Sequence, residues 1–177
     1  MAHTLFITGG ARSGKSSFAE QMAREFGAPL CYLATAQPLD SEMDERIKQH
    51  QERRGGEWNT IEEPIHLSQA LARIDGQYQA ILVDCVTLWL SNLLFKYEDV
   101  AENSDERIHE DLQRLKRTLQ GMVTPVILVS NEVGMGIVPD NSLARMFRDI
   151  AGRTNQTLAS VAEEVHVVIS GIPLRLK

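Results

Sequence analysis

The sequence predicts an α/β fold, a single domain over residues 1–177 in which a mostly parallel central sheet is flanked by helices. Three observations carry this reading. Short runs rich in β-branched and aliphatic residues alternate with longer segments of helical period. Several of those runs are apolar throughout rather than at every second residue, the pattern of parallel strands covered on both faces. A glycine-rich stretch, GGARSGKS, stands between the first strand-like run and the first helix-like one. The length of 177 residues fits one domain by the usual scale of about 150 residues per domain.

Taken in order, TLFIT (4–8) is the first strand and SSFAEQMAREF (16–26) the first helix. LCYLAT (30–35) is the next strand, followed by a helix over 41–54 and a weaker strand near WNTIEE. AILVDC (80–85) reads as a core strand and CVTLWLSNLL as the helix after it. The acidic, apolar-poor YEDVAENSDE (97–106) reads as an exposed loop. From Asp105 to Met122, Ile108, Leu112, Leu115 and Leu119 fall on one stripe, which predicts a helix packed on the sheet. PVILVSN (125–131) is a strand, Leu143 to Val165 a helix carrying Phe147, Ile150, Leu158 and Val161, and VHVVIS (165–170) the last strand.

Composition excludes several classes of function. With 43% apolar and 24% charged residues, and no apolar run near the ~20 residues needed to cross a bilayer, the chain is expected to be soluble, with no membrane span. MAHTLFITGG lacks a basic leader and runs into a core strand, so a signal peptide is not expected and the expected location is cytoplasmic. A net charge of −6 disfavours phosphate-backbone binding, so no nucleic-acid partner is expected. Cys31 and Cys85 lie within or at the end of apolar runs without CxxC spacing and read as buried, inert thiols.

GGARSGKS fits G-x-x-x-x-G-K-[ST] with Gly9, Gly14, Lys15 and Ser16 in the fixed places. Between a strand and a helix, successive backbone N–H groups there form a concavity at the positive end of the helix that holds phosphate oxygens. Lys15 is expected to reach the terminal phosphates and Ser16 to ligate Mg2+. Such a loop works with a carboxylate at the end of a neighbouring strand. Asp84, closing AILVD, is the candidate for the metal shell, its alternative being a cap for the following helix. Nothing resembles an NKxD-type guanine signal, so the motifs leave the base open.

RIKQHQERR (46–54) poses a different question. On a helix over 41–54, Met43, Ile47, His50 and Arg54 share a stripe, with Arg46 and Arg53 along its edge. One reading has His50 meeting a nucleotide phosphate that the arginines neutralise. Their charge also disfavours the imidazolium and leaves a lone pair free to attack phosphorus. In the other, Glu42, Glu45 and Glu52 pair with the arginines on a solvated face and His50 is incidental. On the residues alone the second is the default. His3, His66, His109 and His166 read as surface or strand residues. On the last helix, Arg145, Arg148, Asp149, Gly152, Asn155 and Gln156 form a polar face suited to a subunit contact, the substrate or plain solvent. Asn131 and Glu132, at a strand's carboxyl end, are candidates for the substrate side.

The ordered blocks GGARSGKS, YLATAQPLDSEMDERIKQHQERRGGEWNTIEEP, ILVDCVTLWLSNLL, VSNEVGMGIVP and FRDIAGRTNQTLA closely resemble the bifunctional adenosylcobinamide kinase/adenosylcobinamide-phosphate guanylyltransferase family of coenzyme B12 biosynthesis. The resemblance spans nearly the whole chain. It implies a RecA-like P-loop NTPase domain assembled as a homotrimer. It also implies phosphorylation of the corrinoid adenosylcobinamide with ATP or GTP, then transfer of GMP from GTP to the resulting phosphate through a guanylylated histidine, His50. The nucleotide contacts it implies fall on Gly9, Gly10, Ala11, Arg12, Ser13, Gly14, Lys15 and Ser16, on Ala34, Thr35 and Ala36, on Gln51, Glu52, Arg53 and Arg54, and on Glu62 and Asp84. Two rivals differ in what they predict: a plain small-molecule kinase makes no covalent adduct, and a nucleotide switch makes no small-molecule product.

Overall fold

The computed structural model describes residues 3–37, 55–97 and 104–177; the helix expected over 41–54, with His50 and Gln51 to Arg54, lies outside the described residues, as does 98–103 of the acidic loop. The chain forms β1 (Thr4–Gly9), α1 (Lys15–Arg24), β2 (Leu30–Ala34), a 3-10 turn (Gly55–Glu57), β3 (Trp58–Glu62), α2 (Leu67–Ile74) and β4 (Ala80–Asp84). It continues with α3 (Val86–Lys96), α4 (Ser104–Gly121), β5 (Val126–Asn131), α5 (Ser142–Val161), β6 (Glu164–Ile169) and β7 (Ile172–Arg175). All seven strands join one sheet in the order β3-β2-β4-β5-β1-β6-β7. Every pairing is parallel except that of β6 with β7.

The fully apolar strands are buried on both sides, as their composition requires. Phe6, Cys31, Leu33, Ile81, Val83, Val126 and Leu128 face a core shared with Leu71, Trp89, Leu93, Leu112, Leu115, Ile150 and Leu158 from the helices. Their sequence neighbours Leu5, Ile7, Leu30, Tyr32, Leu82, Ile127 and Val129 face the opposite layer, where Ala19 and Ala23 of α1 pack. A one-residue slip of any strand would exchange the two sets, which is why register is held tightly here.

Two expectations need correction and two elements were not foreseen. The acidic segment 97–106 is not loop to its ends, because Tyr97 and Ser104 are buried, the Ser104 hydroxyl donates to Tyr97 O (2.9 Å) and α4 begins at Ser104. The last helix stops at Val161 rather than running to 165, because Ala162 turns extended (φ −70°, ψ 141°). That frees Glu163 N–H to bond Thr4 O and lets β6 begin at Glu164. α2 carries Leu67, Ala70, Leu71 and Ile74 inward, a short amphipathic repeat between polar flanks. β7 is an edge strand with every residue exposed, so it has no alternation to read.

The carboxyl ends of the strands are tied together by side chains that satisfy buried backbone groups. Thr35, fully buried just beyond β2, accepts the Cys85 N–H at 2.8 Å and donates its hydroxyl to Cys85 O at 2.7 Å. Asn92 of α3 donates to Thr35 O (2.8 Å) and Pro64 O (3.0 Å), and Trp89 Nε1 donates to Ile65 O (2.9 Å). One helix thereby fixes the exits of β2, β3 and β4. Replacing Thr35 by valine keeps the shape but leaves the Cys85 N–H unpaired in the interior and Cys85 O with only the Trp89 N–H, at 3.2 Å. The expected cost is about 1–3 kcal/mol of folding stability, and an unchanged urea-unfolding midpoint for Thr35→Val would show that the hydroxyl is not the tie.

Candidate active site

The loop from Gly9 to Gly14 leaves β1 and delivers the chain into α1. Gly9 (φ +150°) is a position where a Cβ would sit 2.3 Å from Val168 O, so only glycine fits. Gly14, at the N-cap of α1, adopts a left-handed conformation (φ +98°). Arg12 is also left-handed at φ 56°. The first turn of α1 carries no acidic residue, so its unpaired N–H groups and positive dipole end face the loop uncompensated. Gly10, Ala11 and Arg12 are exposed, whereas Ser13 and Lys15 are buried and Ser16 half-buried.

Lys15 folds back over the loop and donates from Nζ to Gly10 O at 2.6 Å. Burial lowers the pKa of its ammonium, an effect that Cys85 and Asp84 oppose. Burial, and next the charge of Asp84, pushes the Cys85 thiol up to about 12, so at neutral pH it is uncharged and Asp84 is the charge that acts on Lys15. Cys31 is likewise pushed up to about 12 by burial. Neither thiol is a nucleophile at neutral pH, in keeping with the inert reading. Two buried hydroxyl oxygens beside the loop, Thr8 Oγ1 and Ser13 Oγ, have no hydrogen-bond partner among the described residues.

Register brings the other predicted positions alongside. Ala34 pairs with Glu62 of β3 on one side and with Asp84 of β4 on the other, so the three lie in a row at the carboxyl edge. Glu62 is exposed, Asp84 half-buried and Ala36 half-buried just beyond. Thr35, by contrast, has its hydroxyl committed to Cys85. Asp84 does not cap α3: the N-cap residue is Cys85, with no side-chain cap bond, and Asp84 Oδ2 instead accepts from the Tyr32 hydroxyl at 3.0 Å. The carboxylate is thereby oriented at the strand end, on the same edge as Ser16. Among the described residues no three His, Cys, Asp or Glu side chains cluster as metal ligands. A hydroxyl and a carboxylate do suit Mg2+, which retains water and draws further oxygens from a substrate's phosphates.

On the other side of Asp84, β5 ends in a buried polar network that composition did not reveal. Ser130 Oγ donates to Asn155 Oδ1 (2.7 Å), Asn155 Nδ2 to Asn131 O (3.2 Å), and Asn131 N–H to Thr87 Oγ1 (2.6 Å). Glu132 N–H then bonds Gly9 O (2.9 Å), placing Asn131 and Glu132 next to the loop. The polar face read on the last helix is partly spent within the chain. Arg148 Nη2 holds Gly134 O (3.0 Å), Arg145 Nη1 holds Pro139 O (2.9 Å) and Asp140 O (2.7 Å), and Asn155 is buried. Among the described residues, nothing beyond its own helix comes within 4 Å of a Cβ added at Gly152. The helix face thus serves to shape the loop after Glu132. Serine, asparagine and threonine at strand ends were the available signal for that network.

The chain is similar over nearly its whole length to known proteins. The family model for cobinamide kinase / cobinamide phosphate guanyltransferase matches residues 5–176. The bifunctional adenosylcobalamin biosynthesis protein CobU of Escherichia coli (strain K12) is 42% identical over 180 residues, spanning 98% of this chain and 99% of that one. Its namesake in Salmonella typhimurium is 44% identical over 183 residues, with coverage of 98% and 99%. The protein CobP of Pseudomonas aeruginosa is 42% identical over 171 residues, with coverage of 97% and 95%. Among solved structures, the RadB recombinase superimposes with a TM-score of 0.51 at 15% identity, over 93% of this chain and 73% of that one, a likeness of fold alone. With the family model matched over residues 5–176 and relatives 42–44% identical over nearly the whole chain, the chain belongs to the cobinamide kinase / cobinamide phosphate guanyltransferase family.

Proposed function

We propose that the whole chain, residues 1–177, works as one bifunctional unit. It phosphorylates the hydroxyl of adenosylcobinamide with ATP or GTP and then transfers GMP from GTP to the new phosphate, giving adenosylcobinamide-GDP. The observation that carries this reading is the loop from Gly9 to Ser16, with Lys15 buried beside Asp84, in a chain whose full length matches the family.

In the first reaction the substrate hydroxyl oxygen attacks the γ-phosphorus, the bond to the β-γ bridging oxygen breaks and the nucleoside diphosphate leaves. Lys15 exchanges its bond to Gly10 O for a phosphate oxygen, and the loop N–H groups from Gly10 to Ser16 hold the remaining charge. Ser16 and Asp84 would hold Mg2+, which supplies charge neutralisation across the phosphates. In the second reaction a ring nitrogen of His50 attacks the α-phosphorus of GTP and pyrophosphate leaves. A phosphate oxygen of the corrinoid then displaces the histidine, which regains its neutral form. Splitting the transfer gives each displacement one good nucleophile. Ala34, Thr35, Ala36, Glu62 and Gln51 to Arg54 complete the proposed nucleotide contacts, and Asn131 and Glu132 the substrate side.

A homotrimer acting in the cytoplasm fits this reading. No described helix is long and apolar enough to cross a membrane. Apolar side chains are exposed at Met135, Ile137 and Val138 and along the β7 edge at Ile172, Leu174 and Leu176, surfaces suited to contact between copies. Light scattering is expected to give three times the chain mass.

Incubation with Mg2+ and GTP labelled at the α-phosphate is expected to leave acid-labile, alkali-stable label on the wild type and none on His50→Ala, which keeps its kinase step. Guanylylation of substrate by His50→Ala would exclude the covalent route. Asp84→Asn is expected to lower kcat of the kinase step by roughly 100-fold and to move its Mg2+ titration to higher concentration. An unshifted titration would remove Asp84 from the metal shell.

A further inference from the structure

The turn between β6 and β7 touches the phosphate loop from outside the sheet. Ile169 pairs with Ile172, so the hairpin closes through two residues, Ser170 (φ 52°) and Gly171 (φ 82°), both left-handed as a tight primed turn requires. Gly171 N–H donates to Ser13 O at 2.8 Å. A Cβ on Gly14 would lie 3.2 Å from Gly171 Cα, and one on Gly9 would strike Val168 O at 2.3 Å. Both glycines of the loop motif are therefore glycines partly because this hairpin lies against them.

We propose that Gly171 is a positioning residue for nucleotide binding, one that orients the Ser13–Gly14 peptide of the phosphate cradle. In a planar trans peptide the carbonyl and the N–H point in opposite directions. A donor that holds Ser13 O on the hairpin side turns Gly14 N–H to the opposite side, toward the concavity, and polarises it for an anion. The constraint reaches the loop from the last strand of the sheet, more than a hundred residues away in sequence. It rests on the reading that residues 9–16 hold the nucleotide phosphates. Because a Cβ on Gly171 meets nothing within 4 Å among the described residues beyond its chain neighbours, substitution there tests the backbone conformation and not packing.

The test is equilibrium binding of a fluorescent GTP analogue with Mg2+, alongside thermal unfolding. Valine is an outlier at this φ, whereas asparagine tolerates it. Gly171→Val is expected to weaken binding about tenfold while Gly171→Asn stays within about twofold. Gly76 is the control, left-handed at φ 76° with open space around it and lying in the turn between α2 and β4. Gly76→Val should lower the melting temperature comparably and leave binding unchanged. Wild-type affinity in Gly171→Val, or equal loss in Gly76→Val, overturns the proposal. If Lys15→Ala loses binding and Gly171→Val does not, the hairpin inference alone fails; if neither does, the loop reading fails first. Should Gly171→Val not fold, amide exchange in the wild type decides. The Gly171 N–H should exchange at least about tenfold more slowly with Mg2+ and GDP bound, and an unchanged rate refutes the coupling.

Discussion

A parallel strand must be carried back to its starting end before it can pair again, so every carboxyl terminus in such a sheet opens onto the same edge. That constraint organises this protein. β3, β2, β4, β5 and β1 run side by side in one direction. Their exits gather Glu62, Ala34, Asp84, Asn131 and Gly9 within a few strand spacings, although these residues are spread through the sequence. A phosphate loop alone binds an anion. The parallel edge is what sets a carboxylate, a tyrosine hydroxyl and a row of strand-end residues around it.

The same edge is where backbone groups lose their ladder partners, and burial there demands replacements. Thr35 serves both groups of Cys85, Asn92 serves two carbonyls, and the Thr87, Ser130 and Asn155 side chains close around Asn131. These residues contribute order rather than reactivity. Each unmet group would cost about 1–3 kcal/mol, so the network holds the edge to one arrangement before any ligand arrives.

The sequence disclosed the parts governed by local rules. Gly9, Gly14, Lys15 and Ser16 are legible because backbone conformation and charge fix their spacing. The buried strands are legible because two covered faces demand unbroken apolar runs. What escaped depends on partners distant in the chain. The pairing of Ala34 with both Glu62 and Asp84 follows from register, and the bond from Gly171 to Ser13 follows from a hairpin whose first strand, β6, lies beside β1 although it is distant in sequence. β7 hid for another reason: an edge strand exposed on both faces, with Pro173 in it, shows neither alternation nor an apolar run. The role proposed for His50 rests on resemblance alone, since arginines beside glutamates read the same in sequence on a solvated helix as at a phosphate.

The two buried thiols bear on how the molecule can be handled. With Cys31 and Cys85 sealed in the interior and held far from ionisation, the folded protein behaves toward alkylating reagents as though it contained no cysteine. A cysteine introduced on the surface would accept a spectroscopic label at that single place, without removal of the native pair. Once the fold opens, both native sulfurs become reactive, so the rate of their capture counts opening events that no substrate assay would register.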